Sequence, residues 1–381
     1  MKSDYPAGLR RRRLLTAAGL GLGAAVWTPY GRAAQAAGRP VTIAQIFDAS
    51  AAQLDVSKDF LIGSRAAWQD INARGGIRGR PVQHTSIEVD GTSAGLQAAL
   101  AAARDNPACV ALSGTSGDPV ATETVRLLRQ DNVSIAHVAP WLQNSSVEVD
   151  DRTFPIFAAR QEQIAHALKS LTTMGVQAIG AVFATEQEHR LFRDDVQRIA
   201  GELKLKLQAY RAEGEPARLG QRLTAQTPAI LLFLGGTPEL VQFTQGRDKQ
   251  SRQRYVVALA DVNLQTMTQM GAARGTPVIA TQAVPMVNSS LPVVRAFRET
   301  LARLFDEPPT PLSLAGFIAA RYTFEVLNDV DTPLTRPSAL AAFQRRSSVD
   351  LGGFHVVFGQ RRRGGTFVTQ SMLTPDGRVV G

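Results

Sequence analysis

Apolar and polar positions along residues 41–140 fall into blocks, each with the two-residue period of a strand or the three-to-four-residue period of a helix. The apolar run 41–47 predicts a buried strand, and the polar, alanine-rich 48–55 a loop. Residues 56–73 predict a helix whose Phe60, Ser64, Ala67, Trp68 and Ile71 share a face, with Gly75-Gly76 as its stop. On that face Trp68 reads as core. After the turn at 77–81, residues 82–89 alternate as a half-exposed strand, and Thr92 or Ser93 caps an Ala- and Leu-rich helix that reaches Arg104. The apolar 109–112 makes a third strand. It feeds through Ser113-Gly114-Thr115-Ser116-Gly117 into Asp118-Pro119, placed as N-cap and first turn of a helix that ends before a strand at 133–135. The order β-α-β-α-β-α-β predicts a doubly wound parallel sheet, with ligands at the carboxyl ends of the strands. The loops that qualify are 48–55, 113–118 and Ala139-Pro140-Trp141.

The pattern restarts after Phe157. A helix over 161–174 stops at Gly175, a strand covers 178–183 and a second helix closes at Gly201. Strands follow at 204–210 and 229–233, the latter entering Gly235-Gly236-Thr237-Pro238-Glu239, again small residues before a Pro at the first helical position. The strand at 255–259 ends in Ala260-Asp261-Val262-Asn263, so Asp261 either meets a ligand cation or caps the helix near Asn263. Beyond a strand at 278–284 come helices at 291–305, 312–328 and 338–344. Two strands at 354–358 and 366–371 then flank Gln360 and Arg361-Arg362-Arg363-Gly364-Gly365, which reads as a solvated hairpin tip.

The two helix starts at 118 and 237 matter chemically. The first N–H groups of a helix lack intrahelical partners and sit at the positive end of its dipole. With the hydroxyls of Ser113, Thr115 and Ser116 they make a receptor for a carboxylate or phosphate, or simply a capped helix. One such loop in each half predicts a cleft with polar backbone on both walls.

Composition narrows the classes. The 381 residues, 44% hydrophobic, are enough for two cores. The formal charge is +9, but Lys2, Arg10, Arg11, Arg12, Arg13 and Arg32 stand against Asp4 alone within 1–36, which leaves +4 for the rest. Scattered basic residues without interleaved aromatics argue against nucleic acid. Arg11-Arg12-Arg13-Leu14-Leu15 looks like a twin-arginine export motif, followed by a Gly- and Ala-rich apolar stretch to Trp27 and a small-x-small site at Ala34-Gln35-Ala36. Cleavage there gives a mature chain from Ala37; an uncleaved anchor is the alternative. Cys109 is the sole cysteine, in an apolar run, and makes no internal disulfide. The expectation is a soluble, periplasmic protein.

Asp70-Ile71-Asn72-Ala73-Arg74-Gly75-Gly76-Ile77-Arg78-Gly79-Arg80 resembles the Asn-x-x-Gly-Gly-Ile-x-Gly-basic signature of type I periplasmic solute-binding proteins of the branched-chain amino acid (leucine/isoleucine/valine-binding) kind, from ABC importers. The loop at 114–117 and Leu351-Gly352-Gly353-Phe354 agree with it, and the likeness covers 41–381. The resemblance implies two Rossmann-like α/β lobes with parallel sheets, joined by three crossovers near Phe157, Val284 and Leu351, closing on a hinge over a small ligand. The lobes would be 37–156 with 285–351 and 157–284 with 352–381. It further implies a monomer that uses no cofactor and docks on an inner-membrane ABC permease. By the same likeness a ligand carboxylate is held by Gly114, Thr115 and Ser116, beside Ser113, with Pro140 and Trp141 following. Asp261 meets the ammonium, and Gly236 and Thr237 face them. The sequence departs from the pattern where Leu54 replaces a Tyr, Glu188-His189 a Tyr-Gly and Arg160 another Tyr. These changes bring charge toward the cleft, so an aromatic or amide-bearing acid fits as well as a branched-chain amino acid.

Catalysis finds little support. After the first strand stands Asp48-Ala49-Ser50-Ala51-Ala52 instead of a dinucleotide-binding glycine pattern, and Gly114-Thr115-Ser116-Gly117 lacks the spacing of a nucleophile elbow. His84, His137, His166, His189 and His355 are dispersed, with no pair at metal-ligand spacing. A periplasmic sensor of the same fold that docks on a membrane receptor is the other reading.

Overall fold

The computed structural model describes residues 39–248, 250–273, 275–374 and 377–381. The export motif and the cleavage site within 1–36 lie outside the described residues. In order come β1 (Val41–Asp48), α1 (Leu54–Ala73), β2 (Val82–Val89), α2 (Ser93–Asp105), β3 (Cys109–Ser113), α3 (Asp118–Gln130), β4 (Ala136–Val138) and β5 (Thr153–Phe154). These strands form a five-stranded sheet in the order β2-β1-β3-β4-β5, parallel throughout. Both its faces are covered: Val41 and Ile43 of β1 enter one core, Ala44 and Ile46 the other. Burial on both faces is what the uninterrupted apolar runs required.

The chain continues through α4 (Arg160–Thr173), β6 (Ala178–Phe183), α5 (Glu186–Glu202), β7 (Lys206–Arg211), α6 (Pro216–Arg222), β8 (Ile230–Leu234), α7 (Thr237–Arg247), β9 (Tyr255–Ala258), α8 (Leu264–Gln269) and β10 (Val278–Gln282). It closes with α9 (Pro292–Leu304), α10 (Pro311–Asn328), α11 (Arg336–Gln344), β11 (Val349–Asp350), β12 (His355–Val356), β13 (Thr369–Leu373) and β14 (Val379–Val380). The second sheet has the order β14-β13-β10-β9-β8-β6-β7. Here too side chains alternate between two cores, Leu232 and Leu234 of β8 on one face and Leu231 and Phe233 on the other.

The returning helices join the core beside the first sheet. Phe297 of α9, Phe317 and Tyr322 of α10 and Phe343 of α11 join Phe60 and Trp68 of α1 in one core, where Trp68 is buried as the pattern predicts. Helices α1 and α10 cross at two glycines. A Cβ on Gly63 would stand 1.7 Å from the Ser313 carbonyl oxygen, and one on Gly316 1.8 Å from that of Phe60.

Three local expectations are corrected. Helix α1 starts at Leu54, two residues early. The N-cap of α3 is Gly117, at φ 96°, and Asp118 takes the first helical position, its carboxylate accepting from the Gln143 and Asn144 N–H groups at 2.7 and 2.9 Å. The hairpin around 360–365 does not form: β12 pairs with β11, and β13 pairs antiparallel with β10. Gly365 instead lies against the Phe157 backbone, where a Cβ would come within 2.1 Å. Arg363 is thereby turned inward and donates to the carbonyls of Leu142, Asn144 and Val147, while Arg361 and Arg362 stay exposed.

Two strand histidines carry a pH dependence. Burial pulls the pKa of His84, in β2, down to about 4 and that of His137, in β4, down to about 3. The unfolded chain takes up these protons below about pH 6.5, and the folded one does not until far lower, so stability present at neutral pH is lost on acidification. The buried carboxylates act in the opposite sense, and comparison with His137→Gln cancels them. The stability difference between the protein and that variant should shift by about 2 kcal/mol against the protein between pH 7.5 and 5. A difference flat with pH in urea titrations refutes the assignment.

Candidate functional site

The sequence builds the site from strand ends. The loops after β1 and β2 and the start of α3 form one wall, and those after β6, β8 and β9 with the start of α4 form the other, as carboxyl-end loops do in doubly wound sheets. They enclose a cavity of about 280 Å³, and on its lining are five carboxylates, Asp48, Asp90, Glu188, Glu239 and Asp261, and a single cation, Arg160. Ser50, Gln53, Thr185 and Gln187 add neutral polar groups, and Ala52, Val56 and Pro119 add apolar wall.

Arg160 is the centre of the wall. It is 7% exposed; one amino group donates to Glu188 at 2.8 Å, the other to Asp261, and the guanidinium lies 4.4 Å above the Phe192 ring. Its Nε–H is buried with no acceptor. Burial alone pulls the pKa of this group down, but Glu188, Asp261 and Asp118 outweigh burial and hold it firmly protonated. Burial likewise raises Glu188 and Asp118, against the pull of Arg160.

Of the residues the sequence singled out, Arg160, Glu188, Gly236 and Asp261 line this cavity. Gly236 begins α7, its N–H donating to Glu239 at 3.1 Å. Asp261 is not a cap, since Asn263 caps α8 through its own side chain. Both Asp261 oxygens have protein partners, Trp141 Nε1 at 2.8 Å and Arg160. Trp141 is 1% exposed and packs edge-on to Phe60, so it ties the first lobe to the second instead of presenting a face to the cavity. Thr237 accepts from the Asn263 N–H at 3.0 Å, and Asn263 reaches across to Asp59 at 2.8 Å.

The 113–116 loop is spent largely on the fold. Ser113 Oγ shares a hydrogen with Thr323 at 2.7 Å, the Gly114 carbonyl accepts from Gln45 at 2.7 Å, and Thr115 Oγ1 is 3.0 Å from His137 Nε2. The Pro140 carbonyl accepts from Leu142 N–H at 2.9 Å. Ser116 Oγ alone of these is buried without a partner. Sequence reasoning placed Asp48 and Glu239 in candidate loops without giving either a role and passed over Asp90, although strand-end position marks Asp48 and Asp90 and proximity to the Thr237 helix start marks Glu239.

Among the described residues no group of His, Cys, Asp and Glu is arranged to hold a metal ion, and no helix is long and apolar enough to cross a membrane. No curated protein matches the chain by sequence. A family model described as periplasmic binding protein matches residues 40–374. Among solved structures, an extracellular ligand-binding receptor from Verminephrobacter eiseniae is 20% identical, covers 90% of this chain and 100% of its own, and has a TM-score of 0.81. A substrate-binding periplasmic protein from Ralstonia solanacearum is 20% identical over 89% and 99%, with a TM-score of 0.77. The branched-chain amino acid transporter substrate binding protein LivJ from Streptococcus pneumoniae, in complex with isoleucine, is 12% identical over 89% and 97%, with a TM-score of 0.74. At these identities the likeness establishes the fold, and the family model establishes the rest: the chain belongs to the periplasmic binding protein family, with the type I two-lobed α/β architecture.

Proposed function

We propose that this protein is the solute-binding component of an ABC importer and that it takes a small, hydrophilic solute carrying a cationic group into the cavity between its lobes. The observation that carries the solute class is the lining charge, five carboxylates against the Arg160 guanidinium. A bare carboxylate or phosphate would enter an excess of like charge, whereas an ammonium or guanidinium finds Asp48, Asp90 and Glu239. The unused Arg160 Nε–H supplies one donor for an oxygen of the same solute, so an amino acid with a basic side chain fits. The carboxylate receptor expected at Ser113 to Ser116 has little left to offer, its groups being tied to Thr323, Gln45 and His137.

In this reading 1–36 is a twin-arginine export signal, and the mature monomer delivers its solute to an inner-membrane permease. The lobes are 37–156 with the returning helices, and 157–284 with the chain end. Packing of Phe354 and Val356 in the first core supports a third crossover beyond 356 instead of at 351.

A thermal-shift and calorimetric panel of arginine, lysine, agmatine and putrescine against leucine, benzoate and succinate tests the solute class. A cationic compound at 100 times its Kd should add ~2.7 kcal/mol and raise the melting point by a few degrees. Binding of benzoate or succinate with no response to any cation refutes it.

A further inference from the structure

The five carboxylates on the cleft lining are not equivalent. Asp261 and Glu188 are bonded to Arg160. Glu239 accepts the Gly236 N–H at the start of its own helix, and Asp90 is exposed, its Oδ1 accepting the Thr92 N–H at 3.0 Å and the Thr92 hydroxyl at 2.6 Å. Asp48 differs from all four. It is 1% exposed, and among the described residues no Lys, Arg or His is paired with it. Its Oδ1 accepts the Ser50 N–H at 2.8 Å; Oδ2 accepts nothing and still keeps accessible surface, and the residue lines the cavity. The side chain lies in a slot between two glycines. Gly117, at φ 96°, would place a Cβ 2.6 Å from Asp48 Cβ and 3.3 Å from Oδ2, and Gly91, at φ 81°, would place one 3.4 Å from Oδ1. With the Ser50 N–H as a further contact, the carboxylate is oriented before any solute arrives.

We infer, building on the cationic solute proposed above, that Asp48 anchors its cation, that this cation is a primary ammonium, and that Asp48 therefore sets the specificity of the cleft. A carboxylate held out of water with no counter-charge costs the empty protein stability, and a cation arriving in the cavity returns it. Asp261 and Glu188 have that counter-charge in Arg160, whereas Asp48 takes it only from a solute.

The free oxygens decide between the cations. A guanidinium is a planar fork that gains most by meeting both oxygens of one carboxylate, and here Oδ1 is already held by Ser50. An ammonium is a compact charge whose three donors need not be coplanar, so Oδ2 takes one of them. The Ser50 hydroxyl is on the lining as well and offers a second acceptor beside the same glycine, a Cβ on Gly91 standing 3.7 Å from Ser50 Oγ. A fully methylated nitrogen has no N–H for either oxygen.

The test is calorimetry on the full-length protein with lysine, 5-aminovalerate, 5-trimethylammoniovalerate and 4-guanidinobutyrate. Of the last three, which carry one cation each, 5-aminovalerate should bind at least tenfold more tightly than the other two. Asp48→Asn should weaken whichever amine binds by about a hundredfold, since an amide donor then faces the ammonium and the charge is gone. Asp90→Asn and Glu239→Gln should each cost about threefold, through lost charge alone. Asparagine keeps an acceptor for the Ser50 N–H, so the denaturation midpoint of the ligand-free Asp48→Asn protein should not fall, which separates loss of the anchor from loss of the fold. The comparison of ammonium with guanidinium needs no substitution and stands even if that variant does not fold. Binding of 4-guanidinobutyrate as tight as that of 5-aminovalerate overturns the proposal. Amine binding that stays within threefold of the parent in Asp48→Asn overturns it while leaving the cationic solute class in place; no binding of any cationic compound removes that class, and the assignment of Asp48 with it.

Discussion

Arg160→Met should lower the stability of this protein by about 3–5 kcal/mol, the range found when one partner of a buried ion pair is removed. The guanidinium is the counter-charge for Glu188 and Asp261, with Asp118 in its field, and the side chains of Arg160 and Asp261 are 8% and 5% exposed. Methionine keeps the hydrocarbon contact with Phe192 and leaves the carboxylates facing one another in a poorly solvated wall. Glu188 and Asp118, which burial already raises, then hold protons more tightly folded than unfolded, so the folded state gains on acidification. The deficit should accordingly be smaller at pH 5 than at pH 8. Adding Glu188→Gln should restore part of it, because one of the repelling charges is gone. Chemical denaturation at the two pH values decides the matter; a loss under 1 kcal/mol, or one that grows toward low pH, means that the cluster is not acting as a buried ion network.

Gly316→Val is the second change with a large expected effect. Its Cβ would sit 1.8 Å from the Phe60 carbonyl oxygen, and the reciprocal position, Gly63, meets the Ser313 carbonyl at 1.7 Å. Both obstacles are helix backbone, so no rotamer change relieves them, and α1 and α10 must move apart through the first core. Overpacking ordinarily costs 1–3 kcal/mol, and a rigid backbone obstacle puts this case at about 3 kcal/mol or more. Soluble yield and the denaturation midpoint should both fall. A variant within 1 kcal/mol of the parent means that the two helices are not locked at this crossing.

The architecture was legible because a parallel sheet buried on both faces writes itself as separate apolar runs, and because glycines and prolines punctuate them at the helix ends. The signature around Gly75-Gly76 led to the family that the 40–374 match establishes. Legibility failed where partners are remote. Ser113 looked like a ligand donor until Thr323, 210 residues on, took its hydroxyl. The sequence offers Asp261 to a ligand cation or to a helix cap, and says nothing of Arg160, 101 residues earlier, which bonds it. Arg361 to Arg363 looked alike, and only packing of the neighbouring glycine against Phe157 separates the half-buried third from the exposed pair. Local pattern reports which groups stand at strand ends; it does not report which of them the rest of the chain has already used.

The interleaving of the two sheets sets an order of assembly during synthesis. Strands β6, β7, β8, β9 and β10 and the helices between them occupy one continuous stretch, so the central part of the second sheet can pair as it leaves the ribosome, lacking only β13 and β14 at its edge. The first sheet has its strands early, yet its core waits for α9, α10 and α11, more than a hundred residues later than β5. Until then the apolar face of α1 that receives α10 stays uncovered, with Phe60 and Gly63 exposed to other chains. The half of the molecule translated first therefore keeps its core open through the synthesis of most of the second sheet, and its need for a holding chaperone should track the rate at which residues 292–344 are made.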